Sequence, residues 1–242
     1  MLIKTRGIIF RAIKYSETSI IADIFTEEKG LRSFIISGVR SKKAKVSASI
    51  LQVMTLVDLV AYFRDDRDLH RIKEIKVEQV YTSLPFDIVK GAVGLFMVEL
   101  ARKTIQESEE NRKLFTFLFE SFRLLDTTEK SVANLHLSFM IELSAFLGFL
   151  PGGDYVGETS IFDLKEGLFI DERPQHFHYL NKNQSELLNR FLNIAIWESH
   201  TIKIDRINRK ELLNNLLLFY GLHIENFQKI NAHQILEEVL EG

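Results

Sequence analysis

Four groups of residues have the types and spacing to do chemistry. In Gly38-Val39-Arg40-Ser41-Lys42-Lys43-Ala44-Lys45, four cations (Arg40, Lys42, Lys43, Lys45) share one loop behind a flexible glycine. Such a run suits either a polyanion or solvent. Asp65, Asp66 and Asp68 could hold magnesium, as in a nuclease, but Arg64 and Arg67 interleave with them and would neutralise a metal site. A charged hairpin turn fits that pattern better. His176-Phe177-His178 puts two imidazoles on one strand face, with no clear third ligand, so surface histidines are the expectation. Gly152 to Thr159 has the glycine spacing of a phosphate loop, but Glu158 stands where the lysine belongs, and a carboxylate there repels phosphate.

The rest of the chain adds no catalytic constellation. His136, His200, His223 and His233 sit singly on helical stretches, and no carboxylates pair at catalytic spacing. The absence of cysteine excludes disulfides, thiolate zinc sites and cysteine nucleophiles together. The expectation is a protein that is not an enzyme, with no cofactor and no metal.

These groups must be positioned by 242 residues, 46% hydrophobic and 26% charged, an ordinary composition for a chain that buries a core. The N-terminus lacks the apolar stretch of a signal peptide, and no apolar run approaches membrane-spanning length. A cytoplasmic protein with no membrane association is expected. The net charge of −2 hides an asymmetry: residues 1–80 hold 15 Lys and Arg against 10 Asp and Glu, and the remainder 16 against 23. A basic segment joined to an acidic one suggests that the first faces a polyanion.

The basic segment reads as β. Strands are expected over 2–15, 20–26, 31–37, 52–63 and 69–80, with Gly30 closing a hairpin and residues 64–68 forming a charged turn. Residues 47–51 form a short helix or an ordered loop. Closely connected strands of this number predict a small closed barrel rather than a sandwich. The predicted fold class is therefore α+β: a five-stranded barrel of the OB type over 1–80, then an all-α domain over 81–242 with a hairpin insertion near 151–180.

From Leu84 the apolar period becomes helical. Pro85 suits the first turn of a helix carrying Gly91 and Gly94, Asn111 opens a second, and Ser131 a third that stops at Gly148. Ser160–Asp163 and Leu168–Ile170 flank a Lys165-Glu166-Gly167 turn as a small hairpin, packed by Phe162, Leu168 and Phe169. Capping boxes at Asn183/Glu186, Asn208/Glu211 and Asn231/Gln234 open the remaining helices. On the helix from Asn111, the stripe Phe115, Phe119 and Phe122 is either core or a groove for a partner's apolar anchor, with Arg112, Lys113 and Arg123 beside it.

Three segments, Tyr15-Ser16-Glu17-Thr18-Ser19, Phe25-Thr26-Glu27-Glu28-Lys29-Gly30 and Gly38-Val39-Arg40-Ser41-Lys42-Lys43, at these separations resemble the bacterial recombination mediator family RecO. Phe162 to Phe169 resembles that family's insertion hairpin, although many members carry zinc-binding cysteines around it and this chain has none. The resemblance implies DNA repair and recombination: binding of single- and double-stranded DNA and annealing of complementary strands. It also implies contact with the C-terminal tail of single-strand-binding protein, and work with RecR to help RecA displace that protein. An OB barrel binds single strands by combining a basic groove with aromatic platforms. The candidate DNA-binding cations are Arg32, Arg40, Lys42, Lys43, Lys45, Arg71 and Lys73, with Phe34 and Tyr62 either stacking bases or packing the barrel. A metal-dependent nuclease and a protein-binding adaptor are the alternatives.

Overall fold

The computed structural model describes residues 1–39, 48–105, 109–157 and 159–241. Along the chain run β1 (Leu2–Lys14), β2 (Ile20–Thr26), β3 (Gly30–Ile36), a 3₁₀ turn (Ala48–Leu51), β4 (Leu56–Tyr62), β5 (Leu69–Val77), α1 (Ile88–Thr104), α2 (Arg112–Thr127), α3 (Leu135–Phe146), β6 (Ile161–Asp163), β7 (Leu168–Ile170), α4 (Lys182–Leu192), a 3₁₀ turn (Ile196–Thr201), α5 (Arg206–His223) and α6 (Ala232–Glu241). Among the described residues no helix is long and apolar enough to cross a membrane.

The first five strands close into a barrel in the order β1-β2-β3-β5-β4, with β1 pairing both β2 and β4. Side chains alternate along each strand, so β1 turns Ile3, Thr5 and Gly7 inward and Lys4 outward. Ile3, Ile9, Ile24, Phe34, Leu59, Phe63, Ile72 and Ile75 fill the interior. Each such side chain contributes roughly 1.5–3 kcal/mol by leaving water. Gly7 is glycine because the strands approach closely there: a Cβ would sit 2.6 Å from Ile24 Cγ2. At the β2–β3 turn Gly30 takes φ +60°, and the buried Thr26 hydroxyl donates to its carbonyl at 2.9 Å. The closing β3–β5 pairing is parallel and covers only Ser33–Ile35 against Leu69–Arg71, so Leu31 and Arg32 project beyond the start of β5.

The chain divides into two compact units, residues 1–86 with 105–127, and residues 87–104 with 128–242. In the first unit α2 covers one outer face of the barrel. Phe10 stacks on Phe25 at 5.6 Å, Phe25 meets Phe115 at 6.1 Å, and Phe115 meets Phe119 at 5.5 Å. Asn111 caps this helix, its Oδ1 accepting from Leu114 N at 3.0 Å.

The second unit is helical, with a two-stranded sheet formed by β6 and β7. Several helix starts differ from the sequence reading: in α1, α4 and α5 a side chain outside the pattern supplies the cap, and in α3 the residue before the helix is held elsewhere. α1 begins at Ile88, not Pro85, with Asp87 Oδ1 accepting from Lys90 N at 3.0 Å. α3 begins at Leu135, because Asn134 is tied to the carbonyls of Ser199 and Ile202 at 3.1 and 2.8 Å. α4 and α5 are capped by Asn181 and Asp205, which accept from Gln184 N and Asn208 N, both at 2.9 Å, so Asn183 and Asn208 lie within the first turns. In the hairpin, Phe162 and Phe169 are buried as expected, but Leu168 faces out and Leu164 packs instead.

Candidate nucleic-acid interface

Strand register lays a row of outward side chains around the barrel. Ile13 pairs with Ile21, Ile21 with Ile35, Ile35 with Arg71, Arg71 with Tyr62, and Tyr62 with Leu2. Tyr62 is 52% exposed, and Leu2, Ile13 and Arg71 are also exposed. An accessible aromatic beside an accessible guanidinium is the pairing that single strands recognise, one stacking a base and the other meeting a phosphate. One step along the strands, the adjoining positions are polar: Arg11 Nε pairs with Asp23 Oδ2 at 2.7 Å, and Ser33 Oγ donates to Asp23 Oδ1 at 2.7 Å. Asp23 therefore neutralises Arg11, while Arg71 has no ion pair among the described residues.

The sequence candidates fall into distinct places. Arg71 and Lys73 are exposed on β5, Lys73 within 3.6 Å of Glu74. Arg40, Lys42, Lys43 and Lys45 lie outside the described residues. Phe34 is fully buried and packs the barrel, which leaves Tyr62 as the stacking surface of that pair. Arg32 pairs with the inward-facing Ile24 and so turns toward the barrel's end rather than its outer face.

At that end is a cluster the sequence reading did not single out. Phe63 stacks on His70 at 4.1 Å, and both are 2% exposed. Lys29 Nζ lies 4.9 Å from the Phe63 centroid and Arg32 Cζ 5.7 Å from it. Arg32 Nε and both ring nitrogens of His70 are buried without a hydrogen-bond partner. Burial, and then the Arg32 charge, push the His70 pKa down, so the ring is neutral near pH 7. The sequence signal for Phe63 was its place directly after Tyr62, which alternation turns inward.

The residues considered for metal chemistry are dispersed. Arg64 pairs with Asp66 at 3.5 Å in the β4–β5 turn. His176 and His178 lie in an irregular segment rather than on a strand, their rings 6.1 Å apart, with His176 Nε2 3.2 Å from Asp163. Among the described residues no three His, Cys, Asp or Glu side chains group to hold a metal.

Phe115, Phe119 and Phe122 are all buried, so of the two readings of that stripe the packing is that of core. Arg6 lies over the Phe119 and Phe115 rings at 4.8 and 5.4 Å and grips Glu27 with two bonds of 2.9 Å, which raises the arginine's pKa and lowers the glutamate's. Arg112, Lys113 and Arg123 remain exposed; Arg112 pairs with Glu110 and Glu28 at 2.6 and 2.8 Å, and Arg123 with Glu120 at 3.0 Å.

The helical unit holds an open apolar site instead. A small cavity of about 20 Å³ is lined by Arg206, Arg209, Lys210, Leu213, Leu236, Glu237 and Leu240, with His136 buried in its wall. Burial, with Arg209 nearby, pushes His136 down to about 3, and neither ring nitrogen has a partner. Arg209 donates to Asn134 Oδ1 at 2.9 Å and to the Ile204 carbonyl at 3.2 Å, but has no carboxylate partner among the described residues. A half-buried guanidinium above leucines suits a ligand with an anionic head and an apolar body.

Family models described as recombination protein O, N terminal and C terminal, match residues 1–81 and 85–231. A DNA repair protein RecO of Bacteroides fragilis is 35% identical over 242 residues, with all of both chains covered. Those of Christiangramia forsetii and Phocaeicola vulgatus are 37% and 32% identical, each with 99% of both chains covered.

Proposed function

The chain belongs to the recombination protein O family, and on that footing we propose that it is a DNA repair and recombination mediator, not a nuclease. It binds single- and double-stranded DNA through the barrel and anneals complementary strands. The observation that carries this reading is the outward pairing of Tyr62 with Arg71 on a closed five-stranded barrel whose segment has a surplus of positive charge. Annealing needs no nucleotide, because pairing is downhill once bound cations screen the two backbones. The protein works with RecR and helps load RecA onto DNA coated by single-strand-binding protein.

The acidic tail of single-strand-binding protein has its seat on the helical unit. The buried phenylalanines of α2 offer no apolar surface for it, whereas the cavity beside Arg206 and Arg209 has both a guanidinium without an ion pair and leucines in its wall. Bulk attraction does not recruit an acidic peptide to residues 81–242, which carry 16 basic against 23 acidic residues, so a local site has to.

Incubating labelled DNA with the protein, with and without magnesium, tests the main reading. Binding without cleavage is the expected result. Magnesium-dependent cleavage would reverse the assignment to nuclease, and neither binding nor cleavage would leave an adaptor.

A further inference from the structure

The end of the barrel where β3 outruns β5 carries two cations without an ion pair among the described residues, although Asp65 and Asp68 in the β4–β5 turn act on the neighbouring His70. Several other cations of the same unit have partners: Arg6 with Glu27, Arg11 with Asp23, Lys76 with Asp58 and Arg112 with Glu28. Lys29 and Arg32 have no ion pair among the described residues, and both lie against one aromatic ring. Arg32 shares the inward face of β3 with Phe34 and Ile36, and its register with Ile24 sets it at the barrel mouth.

The choice of neighbour matters. A carboxylate would hold these cations in place and cancel their charge. A phenyl ring holds them through its quadrupole and leaves the charge available to a ligand. Phe63 is fixed in turn by its stack on His70, whose ring packs against Phe34 at 5.6 Å on the other side of the interior. Arg32 Nε is buried without an acceptor among the described residues, so no protein group draws on the guanidinium from within. The next residue back, Tyr62, shows its ring on the outer surface.

We propose that the barrel mouth is a phosphate seat, in which Lys29 and Arg32 together hold one phosphodiester of a bound nucleic-acid strand and the Phe63–His70 stack is the floor that orients them. The proposal rests on the DNA-binding reading above and adds to it the anchor point of the strand. An ammonium and a guanidinium against the same ring suit the oxygens of a phosphodiester, and the adjacent Tyr62 supplies the base-stacking surface that a protein carboxylate would not need. Lys29 and Arg32 touch the ligand; Phe63 and His70 are positioning residues.

The test is fluorescence anisotropy of the full chain with a labelled oligothymidine, titrated across a series of potassium chloride concentrations. For single strands, removing one cation that neutralises a phosphate flattens the log K versus log salt slope by about 0.7, so Lys29→Gln or Arg32→Gln should each do so and the double variant should flatten it by about 1.4. Arg32→Lys, which keeps the charge, should retain the slope. A folded double variant with the wild-type slope overturns the seat while leaving DNA binding by other residues intact. No binding by the wild type removes the DNA reading and the seat with it. Loss of binding to a poly-glutamate probe, with DNA binding unchanged, would make this a protein-docking site and also overturn the proposal. If the double variant fails to fold, Lys29→Gln decides alone, since Lys29 lies in a turn outside the strands.

Discussion

Asp126 and Leu84 lie 42 positions apart, and the Asp126 carboxylate accepts the Leu84 N–H at 2.8 Å. The same carboxylate accepts the backbone N–H groups of Thr82 and Ser83 at 3.0 and 2.8 Å. The last residue but one of α2 thus fastens the chain where it leaves the barrel, inside one compact unit.

Asp126→Ala should therefore destabilise this unit, because three backbone donors, that of Leu84 buried, lose their acceptor at once. The loss should be about 2–3 kcal/mol, given what hydrogen bonds to a charged group contribute. Asp126→Asn, which keeps one acceptor oxygen, should cost less. These bonds hold the carboxylate's pKa down against the opposing effect of burial. A depressed carboxylate contributes stability that is complete above its unfolded pKa and is lost as pH falls through the folded one, so the alanine variant should narrow its gap to wild type in acid. Urea unfolding at pH 7 and pH 3 checks both statements, and equal gaps at the two pH values would show that the carboxylate's charge plays no part.

Tyr62→Ala should weaken binding of single-stranded DNA by about 1–3 kcal/mol, the contribution of one stacked base. The Tyr62 ring is half exposed, so the melting temperature should barely move. Anisotropy and thermal unfolding on the same preparation separate the two; a large fall in melting temperature with unchanged affinity would make Tyr62 a packing residue.

Replacing Arg40, Lys42, Lys43 and Lys45 by alanine should weaken DNA binding across sequences, since phosphate contacts position without specifying. Each phosphate that the loop neutralises should account for roughly 0.7 of the salt slope on single strands. An unchanged slope would identify the run as merely solvated.

The barrel was legible because β-branched and aromatic runs alternate within a short, basic segment, and the strands fall within a few residues of their expected ends. The helix starts were less so. The Asn183 and Asn208 boxes matched a spacing, but Asn181 and Asp205 took the caps by folding back onto Gln184 and Asn208. Cap choice depends on the geometry of the preceding loop, which sequence spacing does not carry. The Lys29–Arg32–Phe63–His70 cluster was invisible for a different reason. It depends on a parallel pairing of β3 with β5 that is only three residues long, which brings His70 beside Phe34 and leaves the end of β3 at the barrel mouth. The stripe Phe115, Phe119 and Phe122 was legible as amphipathic; whether its partner was the barrel or another protein depended on Phe10 and Phe25, far away in sequence.

His136 should make the helical unit sensitive to acid. Its ring is buried with no acceptor and its pKa is lowered to about 3, so the folded state resists a proton that the unfolded chain takes up near pH 6.5. The depressed value means the penalty begins below that pH and deepens until the folded ring itself protonates. At pH 5 it should be on the order of 1–2 kcal/mol. His136→Leu should remove this part of the pH dependence, gaining on wild type at pH 5 relative to pH 8; parallel stability curves for the two proteins would contradict it.

A peptide ending in acidic residues and a C-terminal phenylalanine should bind the full chain at the cavity of the helical unit. The apolar ring has Leu213, Leu236 and Leu240 to cover it, and the terminal carboxylate has Arg206 and Arg209. Arg209 is the stronger anchor of the two, because Asn134 and the Ile204 carbonyl already fix its guanidinium and it forms no ion pair among the described residues, although Asp205 and Glu237 lie nearby. Arg209→Gln should therefore lower affinity about tenfold or more, in line with losing a charge-assisted bond of about 1.5–3 kcal/mol. Removing the phenylalanine should cost a similar amount through reduced apolar burial. Salt should weaken the intact peptide's binding but have less effect on the Arg209 variant, since the screened charge is then absent. Arg112→Gln with Arg123→Gln on α2 should leave the affinity unchanged, as those guanidiniums are already paired with Glu110, Glu28 and Glu120. If the α2 variants lose the peptide and Arg209→Gln keeps it, the tail sits on the barrel-bound helix and the cavity has another use.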